Sequence, residues 1–206
     1  MDPIMKKALE TFTLFITLTI AFSALTGCSS TDNANSSSTG SQAANSAPAG
    51  KSSEYPPLAS SVAQAEFEML DGTKFTLADR KGKVLLVNIW GTWCGPCRAE
   101  MPHLVEMQDK FRDKGFEVIG LNIGDGQGEI EPNELIEPFV EKMKLNYTIA
   151  RSRNESTLKF FKFTKMDGVP QTLLIDREGH LRGVFHGGGK SVIESMHQSV
   201  DKLMAE

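Results

Sequence analysis

Hydrophobic and polar positions divide the chain into stretches of different character. Phe12 to Leu25 is an uncharged run of 14 residues, preceded by Lys6 and Lys7. It falls short of the roughly 20 residues an α-helix needs to cross a bilayer, and it fits the apolar core of an export signal. Glu10 at its edge disturbs that fit, and a start at Met5 would give the tidier opening M-K-K-A-L. Residues 29–53 contain no Leu, Ile, Val, Met or aromatic residue, and only Asp32 and Lys51 are charged. Nothing there offsets the entropy of ordering, so a flexible linker spanning about 25–30 Å root-mean-square is expected, stiffened at its end by Pro56-Pro57.

From residue 58 the pattern becomes that of a packed domain. Ala65 to Met69 and Lys74 to Leu77, joined across Asp71-Gly72, predict a β-hairpin. Val84 to Trp90 (V-L-L-V-N-I-W) is a near-continuous apolar run, as a central strand covered on both faces requires. A helical pattern then runs from Cys94 to about Lys114, with Leu104, Val105, Gln108 and Phe111 at helical spacing and Gly115 closing it. Phe116 to Ile123 predicts a second buried strand, which makes a parallel βαβ unit. A Gly-rich acidic loop is expected over 124–132, then a helix from Pro132 to about Leu145. Further on, the pattern gives a strand at Tyr147–Ala150 and a helix near Ser156–Phe163. A second hairpin pairs Gln171–Asp176 with His180–Phe185, and a last helix capped by Ser191 runs to about Met204. The fold class expected is α/β, a four- or five-stranded mixed sheet flanked by helices. The segments expected are a signal over 1–27, a linker over 28–57 and a globular domain over 58–206.

Charge narrows the function. With 22 basic against 26 acidic side chains the net charge is −4, and residues 58–206 carry −3 of it. That balance gives no electrostatic reason to bind nucleic acid, which usually needs a basic face. The three cysteines, Cys28, Cys94 and Cys97, carry most of the candidate chemistry. Leu25-Thr26-Gly27-Cys28 resembles a bacterial lipobox, whose cysteine is diacylated and becomes the mature N-terminus. The alternative is an ordinary secretory signal with an incidental cysteine. Several acyl chains would hold the protein firmly, because one alone binds marginally. The localisation expected is the cell envelope, lipid-anchored to a membrane with the globular part on its extracytoplasmic or periplasmic side.

Trp93-Cys94-Gly95-Pro96-Cys97 directly follows the first central strand and opens a helix. A thiolate there faces unpaired N–H groups and the positive end of the helix dipole, which lowers its pKa. Two intervening residues let the sulfurs meet within one turn, and Pro96 costs little where its missing N–H would be unpaired. This motif after Leu86-Val87-Asn88-Ile89-Trp90, with Gly168-Val169-Pro170-Gln171-Thr172 about 70 residues later, resembles the thioredoxin fold. The N-terminal hairpin, the insertion around 124–145 and the export signal make it similar to the membrane-anchored TlpA/ResA branch of thiol-disulfide oxidoreductases. The resemblance covers residues 58–206.

The resemblance implies that Cys94 is the exposed attacking thiol and Cys97 the buried resolving one. It implies that Trp93, Gly95 and Pro96 border the substrate, with Val169-Pro170 as a cis-proline segment offering backbone hydrogen bonds to a bound peptide. Glu100 matches a glutamate this branch places three residues after the second cysteine, on the same helix face as Cys97. Two readings of it stand open: a proton relay for the resolving thiol, or a surface glutamate favoured by the helix dipole. Asn88 occupies the position of thioredoxin's buried aspartate and cannot titrate. Pro102 matches a structural helix proline, while Trp90 is expected in the core and Trp93 as a platform. The resemblance also implies disulfide-containing envelope proteins such as apocytochrome c as substrates, a membrane electron donor of the DsbD/CcdA type, and no cofactor. A monomer is expected.

Rival readings are limited by spacing. Arg98 stands where haem attachment would need histidine, and the four histidines show no paired metal spacing, so no metal site is expected. Gly187-Gly188-Gly189 lacks the phosphate-loop pattern and is expected to turn the chain into the last helix. A general disulfide oxidase or isomerase, and a non-catalytic lipid-anchored binding module, are the alternatives to a reductase.

Overall fold

The computed structural model describes residues 54–206, so the export run, Cys28 and most of the linker lie outside the described residues. The element order is α1 (Ser60–Ala63), β1 (Phe67–Met69), β2 (Lys74–Phe75), β3 (Val84–Trp90), α2 (Gly95–Phe111), β4 (Phe116–Asn122), α3 (Asn133–Met143), β5 (Thr148–Arg151), α4 (Asn154–Thr164), β6 (Gln171–Ile175), β7 (Leu181–His186) and α5 (Lys190–Met204). Short 3₁₀ turns follow β2 and α2, at Leu77–Arg80 and Arg112–Lys114. No helix among the described residues is long and apolar enough to cross a membrane.

The strands form one mixed sheet in the order β2-β1-β5-β4-β3-β6-β7. β3 lies parallel to β4 and antiparallel to β6. All seven residues of β3 are buried, which explains its unbroken apolar sequence. Side chains alternate across a strand. Val84, Leu86 and Trp90 join a cluster with Met101 and Leu104 of α2 and Met196 and Val200 of α5. Leu85, Val87 and Ile89 join a second cluster with Val62 of α1 and Phe160 of α4. Each such side chain, fully buried, contributes roughly 1.5–3 kcal/mol. The same alternation turns Asn88 toward the α2 face.

The sheet has seven strands where the pattern predicts four or five, because the N-terminal hairpin does not stand apart. β1 pairs antiparallel with β5, Glu68 opposite Arg151. It thereby covers an edge that would otherwise present unpaired backbone groups. Phe67 buries its ring there, and Arg151 donates to the Glu68 carboxylate at 2.6 Å. The last helix also starts differently from expectation. Gly189 is its N-cap, without a side-chain bond, and Ser191 is exposed in its first turn.

Packing begins ahead of residue 58. Leu181 N–H donates to Pro56 O, Leu58 N–H donates to Gly179 O, and Pro57 bridges to His180. This segment sits by the β6–β7 turn. The register pairs Leu85 with Ile175 and Ile89 with Gln171, so that turn lies at the end of the sheet opposite Cys94.

Candidate functional site

β3 ends at Trp90, four residues before Cys94, which serves as the N-cap of α2. The Cys94 sulfur accepts the Cys97 N–H at 3.1 Å, in the place where a serine or aspartate oxygen often caps a helix. Pro96 lies in the first turn, where its missing N–H leaves nothing unpaired. The two cysteines form a disulfide with Cα atoms 5.3 Å apart. A thiolate on Cys94 would keep the Cys97 N–H and the helix dipole in its favour. Arg98 donates to Thr92 O at 3.0 Å and reaches back beside Gly95, which adds positive charge at this end of α2.

The resemblance makes Cys94 the exposed thiol, and in this disulfide state it is not. It is 3% exposed and Cys97 is wholly buried. Both sulfurs belong to the core cluster on the α2 face, with Val169 packed against it. The exposed members of the motif are Trp93, Gly95 and Pro96.

The Val169–Pro170 bond is cis, and Pro170 is buried. The glycine turn after β7 joins this segment to the motif. Gly187 N–H donates to Pro170 O at 3.0 Å. Gly188 lies so close to Pro96 that a Cβ on it would overlap the Pro96 carbonyl oxygen. The turn into the last helix is therefore also a spacer between the two halves of the site, a role no local sequence signal conveys.

Glu100 is 1% exposed, which overturns its surface reading. One carboxylate oxygen accepts from Asn88 Nδ2 at 2.6 Å, and Asn88 donates its other amide hydrogen to Thr172 Oγ1 at 2.9 Å. The second oxygen, Oε2, has no hydrogen-bond partner among the described residues. Burial pushes the Glu100 carboxyl up to about 7 and outweighs the Asn88 bond, which acts the other way. Burial, and to a lesser extent the charge of Glu100, also raise the phenol of Tyr147.

A second buried carboxylate, Glu131, is silent in the sequence because nothing distinguishes it from its exposed acidic neighbours. It accepts from Thr92 Oγ1 at 2.5 Å and from Asn122 Nδ2 at 2.7 Å. Trp93 Nε1 donates to Gly124 O at 2.8 Å, and Gly124 (φ +90°) leaves no space for a Cβ beside Glu129 O. The 124–132 segment is thus fastened to the residues just ahead of Cys94, while Asp125, Glu129 and Ile130 remain exposed. Trp90 is buried in the core, as expected, and Trp93 is 47% exposed. The histidines, scattered in sequence, are not all scattered in space, since His103 and His197 meet with ring centroids 5.5 Å apart.

Comparison with known proteins agrees with this geometry. Thiol-disulfide oxidoreductase ResA of Geobacillus kaustophilus is 32% identical over 118 residues, 57% of this chain and 63% of that relative's length. ResA of Bacillus anthracis is 33% identical over 110 residues, 53% of this chain and 58% of the relative. The match therefore spans less than two thirds of either relative. The thioredoxin domain of a thiol-disulfide oxidoreductase from Bacteroides vulgatus superposes with a TM-score of 0.56 at 25% identity, covering 68% of this chain and 95% of that one. A thioredoxin-family thiol:disulfide interchange protein from Chlorobium tepidum shares the fold, with a TM-score of 0.58 at 23% identity over 75% of this chain and 99% of that one. The family model described as Redoxin matches residues 42–201. With a thioredoxin fold and a dithiol motif at the head of its first long helix, this chain belongs to the Redoxin family.

Proposed function

We propose that this chain is a thiol-disulfide oxidoreductase, acting as a reductant of disulfides in cell-envelope proteins. The observation that carries the reading is the Cys94–Cys97 disulfide capping α2, with the buried Glu100 carboxyl one turn further on. In the reduced protein, Cys94 thiolate attacks one sulfur of a substrate disulfide. The substrate S–S bond breaks, its other sulfur leaves as thiolate and takes a proton, and a mixed disulfide joins Cys94 to the substrate. Cys97 then loses its proton to Glu100 and attacks the Cys94 sulfur. The mixed disulfide breaks, the reduced substrate leaves, and the Cys94–Cys97 bond is restored with two electrons passed on. A carboxyl near 7 suits this relay, because it takes and returns a proton at neutral pH.

Trp93, Gly95 and Pro96 supply the exposed surface a substrate meets, and Val169-Pro170 offers backbone groups to its peptide. Apocytochrome c is the favoured substrate class, and re-reduction comes from a membrane donor of the DsbD/CcdA type. Lipidation at Cys28, after removal of residues 1–27, holds the protein on the extracytoplasmic side of its membrane, where it acts as a monomer; the lipobox sequence supports the anchoring. The test is the reduction potential of the full chain, followed by Trp93 and Trp90 fluorescence in thiol redox buffers. A value near or below about −250 mV supports a reductant, and one near about −120 mV makes the protein an oxidase. Cys94→Ser is expected to abolish reduction of insulin disulfides, and retained turnover would sink the enzymatic reading.

A further inference from the structure

Helices α2 and α5 pack side by side and bring together two short patterns that the redox chemistry does not use. On α2, His103 and Glu106 stand three residues apart; on α5, Glu194 and His197 do the same. Residues at that spacing share a helix face. All four line one open hollow between the helices, with Lys190 and Ile193 at its border. One ligand atom each from His103, Glu106 and His197 lies within 4.8 Å of the other two. The imidazoles meet edge to face, at 87°, and both are half-buried. Among the described residues, neither of these rings finds a hydrogen-bond partner.

We propose that His103, Glu106 and His197 form a binding site for a zinc-class divalent cation that links α2 to α5. Two imidazoles and a carboxylate are the borderline donors such ions take, and a three-residue set leaves a fourth position open. Tetrahedral zinc holds its donor atoms about 3.3 Å apart, so side-chain rotation has to close the present separation only modestly. Glu194 lies in the same hollow and can complete the set directly or through water. Lys190 is the cation that opposes binding. Its side chain is almost fully exposed and its amine lies 3.8 Å from Glu194, so it is held toward that carboxylate. Neither histidine has a hydrogen bond to fix its orientation, which weakens the expected affinity. Asp176, Glu178 and His180 also cluster, but Asp176 Oδ1 is already committed to the backbone N–H groups of Glu178 and His180.

The site is independent of the redox reading. The experiment uses the full chain with Cys94–Cys97 oxidised and any unlipidated Cys28 thiol alkylated, so that no thiolate competes for the ion. Titration calorimetry with zinc, and the absorption of the cobalt(II) form, are read alongside the melting temperature. The expected result is one equivalent bound, a cobalt spectrum of nitrogen and oxygen ligation, and a rise in melting temperature with zinc. His103→Gln and His197→Gln each weaken binding at least tenfold. Glu106→Gln, at an exposed position that leaves the fold untouched, weakens it less but measurably. His180→Gln leaves it unchanged. Absence of binding, binding that survives His103→Gln with His197→Gln, or loss in the His180 variant would each overturn the assignment.

Discussion

Glu100 lies three residues beyond Cys97 and Glu131 bonds to Thr92, two residues before Cys94; both carboxylates are buried, yet their surroundings prepare them for different work. Glu131 has both oxygens occupied, one by Thr92 and one by Asn122. Glu100 has one oxygen bonded to Asn88 and the other bonded to no described residue. A buried carboxylate whose hydrogen bonds are complete behaves as a fixed part of the fold. One left half-paired in an apolar setting gains by taking up a proton, so it is poised to exchange one. Burial alone does not make a catalytic acid. What distinguishes the two is how many partners the neighbouring elements offer.

The largest effect should come from Glu100→Gln, which keeps the shape and removes the titration. Disulfide reduction at neutral pH is expected to fall by about 10²-fold, and the rise in rate through about pH 7 should flatten. Stability should respond in the opposite sense. Between the ordinary carboxylate range near 4.5 and about 7 the folded protein holds a proton at Glu100 that the unfolded chain has released. Stability is therefore greatest at low pH on this account and is lost as pH rises through that window. The penalty above the window is on the order of 3 kcal/mol, and Glu100→Gln should remove it, seen as a higher denaturation midpoint at pH 8 than the parent protein's. A variant no more stable at pH 8 would place Glu100 in the same class as Glu131.

Glu131→Leu should show the other behaviour. It strands the Thr92 hydroxyl and the Asn122 amide and costs about 1–3 kcal/mol, as denaturant unfolding at neutral pH would report. An unchanged denaturation midpoint would contradict that structural role. The smallest change is Thr92→Val, which removes one bond from Glu131 and costs about 1 kcal/mol. Because Trp93 follows Thr92 and holds Gly124, its fluorescence should shift even though the indole itself is unaltered.

Much of the fold and the reactive pair is legible in the residues. Val84–Trp90 declares itself by an apolar run bounded by charge and motif, and C-G-P-C declares the helix start and the chemistry. Glu100 is legible only as a choice. Its spacing from Cys97 fixes the helix face, but whether that face is covered depends on Asn88, twelve residues earlier on a strand. Glu131, Gly188 and the His103–His197 pair are not legible, since each acquires its meaning from a partner distant in sequence. The hairpin can be read as a local object, while its attachment to β5 rests on register that local pattern does not encode. Ser191 has the side chain of a cap, but the chain enters α5 two residues earlier, at Gly189.

The segment from Pro56 to Leu58 is stitched beside the β6–β7 turn, at the far end of the sheet from Cys94. A domain held through residues that precede this segment is gripped by its heel. On the lipid anchoring proposed above, the reactive end of the sheet is then the end turned away from the point of attachment. Lengthening or shortening the linker would change how far that end reaches while leaving its chemistry as it is.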